Sequence, residues 1–311
     1  MKKLIANVYE YEIKLFTNAY SRLNDLKTYS ELYIPDIKFY ENGLDKPEYN
    51  IYAYYSNKKN YIKEGNSIFI EDSDKDLLIN DTIMTLSRLF DKILIENGYY
   101  IMHSSAVSKD ENAILFSGIS SAGKTTSALK LCLEYDDIKF CSGDKTVLKE
   151  DEVIGGTKRT HVRKGSILYE LPKLKKYFNI EDNENIWNEQ VYLRPSWVNI
   201  KEENEKKLKA IIFPKKLSLP LKIKKLDKRD AFLRIHENLT YFYNYPHLLV
   251  GQELPLNINI KYKDKVKVTK YAKFLSENIN VFTVDGKLDE ITDFAISLFE
   301  DDYEKHNKEY S

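Results

Sequence analysis

The chain has 311 residues, with 48 Lys+Arg against 48 Asp+Glu for a net charge of zero, 42% hydrophobic and 31% charged residues. This is the balance of a globular chain long enough for one large domain or two ordinary ones. It gives no global electrostatic case for nucleic acid or an anionic membrane surface, and no apolar run approaches the roughly 18 residues of a membrane span.

In chain order, the N-terminal stretch MKKLIANVYEYEIKLF carries charges where a signal peptide needs its apolar run, so the expectation is a cytoplasmic protein. Residues 1 to about 75 alternate short apolar or aromatic runs with turn-forming clusters. YNIYAYYS (49–56) and SIFIED (67–72) read as strands and NGLDKPEY (42–49) as a loop. In 76–98, Ile79, Ile83, Leu86, Phe90 and Ile93 recur at spacings of four and three, which puts them on one helical face, and Gly98 is a stop signal. The expected division is a small β-rich α+β domain over 1–98 and a second domain over 99–311.

The second part reads as strand (YIMHSSAV), strand (AILFSG), loop, helix (124–135) and strand (IKFCSGD, 138–144). The segments DNENIWNEQ (182–190) and KEENEKKLK (201–209) read as solvated surface. KAIIFP (209–214) and INVFTVDG (279–286) read as strands, the latter followed by an amphipathic helix. The expected class is mixed α/β. Cys132 and Cys141 have no metal-ligand spacing around them and point to a reduced chain.

Between the second strand and the helix, Gly118 to Thr125 (GISSAGKT) fits the phosphate-cradling pattern G-x-x-x-x-G-K-[ST]. Gly118 and Gly123 let backbone N–H groups turn inward, since positive φ costs glycine little. Ser120, Ser121, Ala122, Gly123, Lys124, Thr125 and Thr126 complete the loop and the helix start, whose N–H groups and dipole favour an anion. In such loops the lysine reaches the β/γ-phosphates and the Ser/Thr hydroxyl ligates Mg²⁺, so the implied ligands are ATP and Mg²⁺. Asp144, 20 residues after Lys124 at the end of the next strand, is the best candidate carboxylate, either for Mg²⁺ or for the attacking hydroxyl. If that strand lies beside the P-loop strand, both C-terminal ends open on one crevice. The N-K-x-D, L-S-G-G-Q-like, H-R-D and D-F-G signatures are missing, which argues against a GTPase, a transporter ATPase and a protein kinase of the usual type.

Taken together, MHSSAV (102–107), ILFSGISSAGKTTSALKL (114–131) and CSGDKTVL (141–148) resemble the HPr kinase/phosphorylase superfamily, which shares its nucleotide site with phosphoenolpyruvate carboxykinase. The likeness covers residues 85–150 best. It implies a P-loop kinase domain in 99–311, with the loop holding the phosphates and Mg²⁺, Asp144 as base on an acceptor hydroxyl and His103 near the reacting phosphate. Two departures stand out. Gly143 occupies the place of the first acid of the family's acidic pair, and IGGTKRTHVRKG (154–165) stands instead of the family's E-x-R-G-x-G stretch. The sequence is therefore more similar to divergent HPr-kinase-like proteins of peptide-modification pathways, which implies a hydroxyl on a peptide or protein as the acceptor. The alternatives are a small-molecule alcohol as acceptor, or a non-catalytic nucleotide-binding scaffold.

Alternation on a strand would place Arg159, His161 and Arg163 on one face, near Lys158. That face suits either a phosphate or acidic substrate or a charged edge strand that resists aggregation. Arg194 and Arg234 have no distinctive context and read as surface.

Overall fold

The computed structural model describes residues 2–43, 47–217, 220–244, 248–249, 251, 254–256 and 258–300. The chain forms two units, one of Met1–Tyr99 with Tyr243–Lys265 and the other of Tyr100–Phe242 with Val266–Ser311. Both are mixed α/β. The first takes in residues 243–265, which the sequence assigned to the second domain. Among the described residues no helix is long and apolar enough to cross a membrane.

In the first unit, β1 (Lys2–Val8), β2 (Tyr11–Thr17), β3 (Lys38–Tyr40), β4 (Tyr49–Tyr55), β5 (Asn60–Glu64) and β6 (Ser67–Asp72) form one sheet in the order β3-β1-β2-β4-β6-β5. Alternate residues face the core, among them Ile13, Leu15, Ile51, Ala53, Ile68 and Ile70. Helices α1 (Leu23–Tyr33) and α2 (Lys75–Glu96) pack on each other, and α2 also packs on the sheet. The Asp74 side chain caps α2 by accepting from the N–H groups of Asp76 and Leu77. Gly98 follows the helix at φ +82°, where a side chain would be strained. Strands 49–55 and 67–72 and this helix match the sequence reading. Part of the expected 42–49 loop, residues 44–46, lies outside the described residues.

The second unit opens with β7 (Tyr100–Lys109) and β8 (Asn112–Ser117), then α3 (Lys124–Glu134), β9 (Lys139–Ser142), β10 (Lys145–Lys149), β11 (Glu152–Gly156) and β12 (Thr160–Arg163). There follow α4 (Lys164–Tyr169), β13 (Gln190–Leu193), β14 (Lys206–Lys216), β15 (Lys222–Lys225) and α5 (Lys228–Asn244). Beyond α5, β16 (Leu248–Leu249) and β17 (Leu254–Pro255) make a short antiparallel pair in the first unit; α6 (Tyr262–Asn278), β18 (Asn280–Gly286) and α7 (Leu288–Phe299) end the described chain.

The main sheet runs β11-β10-β7-β8-β14-β18-β15, and β9 pairs with β7. A further pairing of β11 with β14 returns the path β11-β10-β7-β8-β14 to its start. The core is built from Ile114 and Phe116 of β8, Ile212 of β14, Phe282 and Val284 of β18, and the apolar sides of α3 and α7. One expectation changes here. The strand after the P-loop helix does not lie beside the P-loop strand: β7 separates them, antiparallel to both. β8 and β9 therefore run the same way and end opposite Ser104 and Ala106 near the middle of β7, whose preceding half is Tyr100–Ser104. That half carries His103.

Candidate active site

The site grows from one edge of β7. Ser104 pairs with Ser117 at the end of β8, and on the other side Ala106 pairs with Ser142 and His103 with Lys145. The two pairings on that side share one register, so the Gly143-Asp144 link between β9 and β10 lies across from Ser104-Ser105. The N–H of Ser104 donates to the Asp144 carbonyl at 3.2 Å, and the Ser105 hydroxyl donates to the Gly143 carbonyl. Ser105 Oγ also lies 3.2 Å from Thr125 Oγ1. One short serine thus touches both the carboxylate turn and the P-loop helix.

The turn is held from a third side. The Thr157 hydroxyl accepts the N–H groups of Asp144 and Lys145 at 2.9 and 3.2 Å, and the Thr157 carbonyl accepts the Gly143 N–H at 2.9 Å. Gly143 has no room for a side chain: a Cβ there would lie 2.9 Å from Thr160 Cβ and 3.0 Å from the Arg159 carbonyl.

The loop of 118–125 has three residues at positive φ, namely Gly118 at +131°, Ser121 at +67° and Gly123 at +100°. Gly123 leads directly into α3, so the first helical N–H groups lie at the loop's mouth. Ala122 is buried, and its carbonyl accepts the Lys216 N–H at 3.3 Å. Lys124 Nζ, itself buried, donates to the carbonyls of Gly118 and Ile119 at 2.9 and 3.0 Å. Burial pushes its pKa down, opposed by the charge of Asp144.

His103 Nε2 lies 3.2 Å from Asp144 Oδ1, and that hydrogen bond holds one carboxylate oxygen in place. Tyr241 stacks on the imidazole at 4.0 Å, and Phe242 meets it edge-on at 5.6 Å. His103 Nδ1 is buried with no hydrogen-bond partner among the described residues, so the network assigns the proton to Nε2. Removal from water works to raise the Asp144 pKa. The hydrogen bond and electrostatic pull of His103, then the charges of Lys124 and Lys145, outweigh it and hold the carboxyl below its ordinary range.

These groups line one cavity of about 480 Å³, together with Ser120, Ser121, Gly123, Thr126, His161, Arg163, Trp187, Gln190 and Lys216. Asp144 is the single carboxylate among its described lining residues, against Lys124, Arg163 and Lys216. Arg163 donates to Ser121 Oγ at 2.6 Å, and His161 Nδ1 lies 3.0 Å from Gln190 Oε1. The field inside favours a polyanion. Comparison with protein-family models and with curated proteins finds no match to this sequence.

The structure therefore brings together His103, Ser120, Ser121, Gly123, Lys124, Thr125, Thr126, Asp144, His161 and Arg163. It does not bring Lys158 or Arg159 to the cavity. The Lys158 ammonium donates to the Cys141 carbonyl at 2.6 Å and to Asn204, and the Arg159 guanidinium lies over the Trp197 ring at 4.2 Å. The strand begins at Thr160, so the alternation expected from residue 159 starts one residue too late. Arg194 pairs with Glu202 and Arg234 lies over Phe213. Sequence reasoning missed Lys216, Trp187 and Tyr241. Each comes from a distant element and has no local motif.

The donor set fits magnesium with a nucleotide. The Thr125 hydroxyl and the Asp144 carboxylate are hard oxygen donors, and Mg²⁺ typically takes one or two protein ligands, with phosphate oxygens and water completing its shell. Among the described residues no group of three or more His, Cys, Asp or Glu forms an all-protein metal cage.

Proposed function

We propose that the protein is an ATP- and Mg²⁺-dependent kinase that transfers the γ-phosphoryl group to a hydroxyl of a peptide or protein. The observation that carries this reading is the convergence of the P-loop Lys124 and the His103-bound carboxylate Asp144 on one cationic cavity. The resemblance to HPr-kinase-like proteins supplies the class of acceptor.

In this reading the loop N–H groups and Lys124 bind the phosphates, with Lys124 turning from its own loop carbonyls to the anion. Thr125 and Asp144 would hold magnesium, which would supply charge compensation for the phosphates. Asp144 orients the acceptor hydroxyl, and His103 fixes the carboxylate. The new bond joins the acceptor oxygen to phosphorus, the bond from phosphorus to the bridging oxygen breaks, ADP leaves, and the hydroxyl proton passes to Asp144. A carboxylate held below its ordinary pKa is a weak base, which suits a loose transition state in which the hydroxyl loses its proton late. Arg163, donating to the P-loop serine, is placed to balance charge on the transferring group.

Binding and transfer separate the roles. Lys124→Ala is expected to weaken ATP binding by about 10- to 100-fold, the worth of one or two charge-assisted hydrogen bonds. Asp144→Asn is expected to keep nucleotide binding and to lower transfer by about 10²- to 10⁴-fold. Labelled ATP with peptide, protein and small-alcohol acceptors reads the transfer, and calorimetry reads the binding. Near-normal turnover in Asp144→Asn sinks the carboxylate's role. ATP binding with no phosphorylated product from any acceptor favours the scaffold alternative.

A further inference from the structure

Trp187 has no part in the chemistry above, yet its position is built. It sits in an acidic segment that reads as solvated surface, but its neighbour Ile186 is buried. The segment is pinned to the start of α4, where the Lys164 N–H donates to the Glu189 carbonyl and the Gly165 N–H to the Ile186 carbonyl, both at 2.9 Å. The indole rests on Gly165: a Cβ there would lie 2.5, 2.7 and 2.9 Å from the contiguous ring atoms Cδ2, Cε3 and Cε2. Backbone therefore supports the ring over its fused bond, and any side chain at 165 would displace it. Trp187 is 40% exposed, stacks with Tyr169 at a centroid distance of 6.0 Å and lines the cavity.

Lys216 connects this ring to the phosphate loop. Its N–H donates to the Ala122 carbonyl, and its Cβ lies 3.4 Å from where a Gly123 Cβ would be. Its ammonium, paired with Glu170, is 5.7 Å from the indole centroid. His103, Asp144 and Tyr241 form a separate group of contacts on the same cavity. The two groups of contacts are candidates for the two ends of one triphosphate, Asp144 for the transferable end and Lys216 with Trp187 for the ribose end.

We propose that Trp187, seated on Gly165, is the platform on which the nucleobase of the bound nucleoside triphosphate stacks, with Lys216 beside the phosphate nearest the ribose. The proposal rests on the loop of 118–125 being a triphosphate cradle. Stacking on an indole accepts any base because every base has a π-face, and its larger area favours purines. The platform accordingly adds affinity for ATP that inorganic tripolyphosphate lacks.

The test compares those two ligands. In Trp197→Phe protein the remaining tryptophan is Trp187. ATP is expected to quench its fluorescence, and tripolyphosphate to bind without doing so. Trp187→Ala is expected to raise the Kd for ATP about tenfold and to leave that for tripolyphosphate unchanged; Trp187→Phe should recover most of the loss. Gly165→Ala, which keeps the indole but unseats it, should repeat the ATP-specific loss. Equal responses to the two ligands, in quenching and in the Trp187→Ala affinities, overturn the platform. Failure of the unmodified protein to bind either ligand overturns the cradle and the platform with it. A Lys124→Ala protein that binds both ligands normally overturns the cradle alone if the ATP-specific Trp187 effect persists.

Discussion

Gly143 shows how one residue's missing side chain is part of a site's construction. The family resemblance places an acid there, but Thr160 and the Arg159 carbonyl already occupy the space a Cβ needs. Gly143→Asp therefore meets a steric obstacle before its charge matters. It is expected to cost about 1–3 kcal/mol of stability through overpacking and to leave the proposed transfer no faster than before. Thermal melting checks the first part and labelled-ATP turnover the second; an unchanged melting temperature contradicts the packing argument. The remaining carboxylate is positioned by hydrogen bonds that leave half of its side chain exposed. Asp144 is reached by His103 from β7, while its backbone is anchored by Thr157. Neither relation has a fixed sequence spacing.

Among elements, β7 does the most to assemble the site, because it separates the two strands whose ends deliver the P-loop and Asp144. The sequence made β8, α3 and β9 legible, since apolar runs, glycines and a helical period are local signals. The order in which strands pair is only partly local: β7 and β8 form a hairpin, but β9 reaches the other side of β7 through pairings across more than 30 residues of chain, and a single sequence carries no mark of those. Trp187 was hidden for a similar reason, as one aromatic in a run of Asp, Asn and Glu looks like ordinary surface until Gly165 is found beneath it. The loop that carries Thr157, between β11 and β12, offers a test at this scale. Thr157→Val removes the acceptor of two backbone N–H groups in the carboxylate turn, which is expected to cost about 1–3 kcal/mol. The proposed transfer should fall more than the proposed nucleotide affinity, because the loop of 118–125 keeps its own bonds. Thr157→Ser should restore both, and loss of affinity equal to the loss of transfer would show that the turn and the loop do not act separately.

For the whole molecule, the division into units does not follow the order of the chain. Residues 243–265 show no composition break, which is why the sequence placed them with the second domain, yet they complete the first. Leu249, Leu256, Ile258 and Ile260 are buried, the Gly251 N–H donates to Asp81 Oδ2 at 3.0 Å, and Lys261 pairs with Glu96. Each fully buried apolar side chain contributes about 1.5–3 kcal/mol as an upper bound. A fragment of residues 1–99 is therefore expected to melt well below the same fragment joined through a flexible linker to residues 243–265. Equal melting temperatures would show that the later segment adds nothing to the first unit.

The same interleaving bears on how the protein is made. β18 lies between β14 and β15, so an inner strand of the second sheet is missing until residue 286 has left the ribosome. The first unit waits for residue 265. At about 5–20 residues per second, the first strands wait roughly 10–50 s for residue 265 and stay exposed to chaperones for that time.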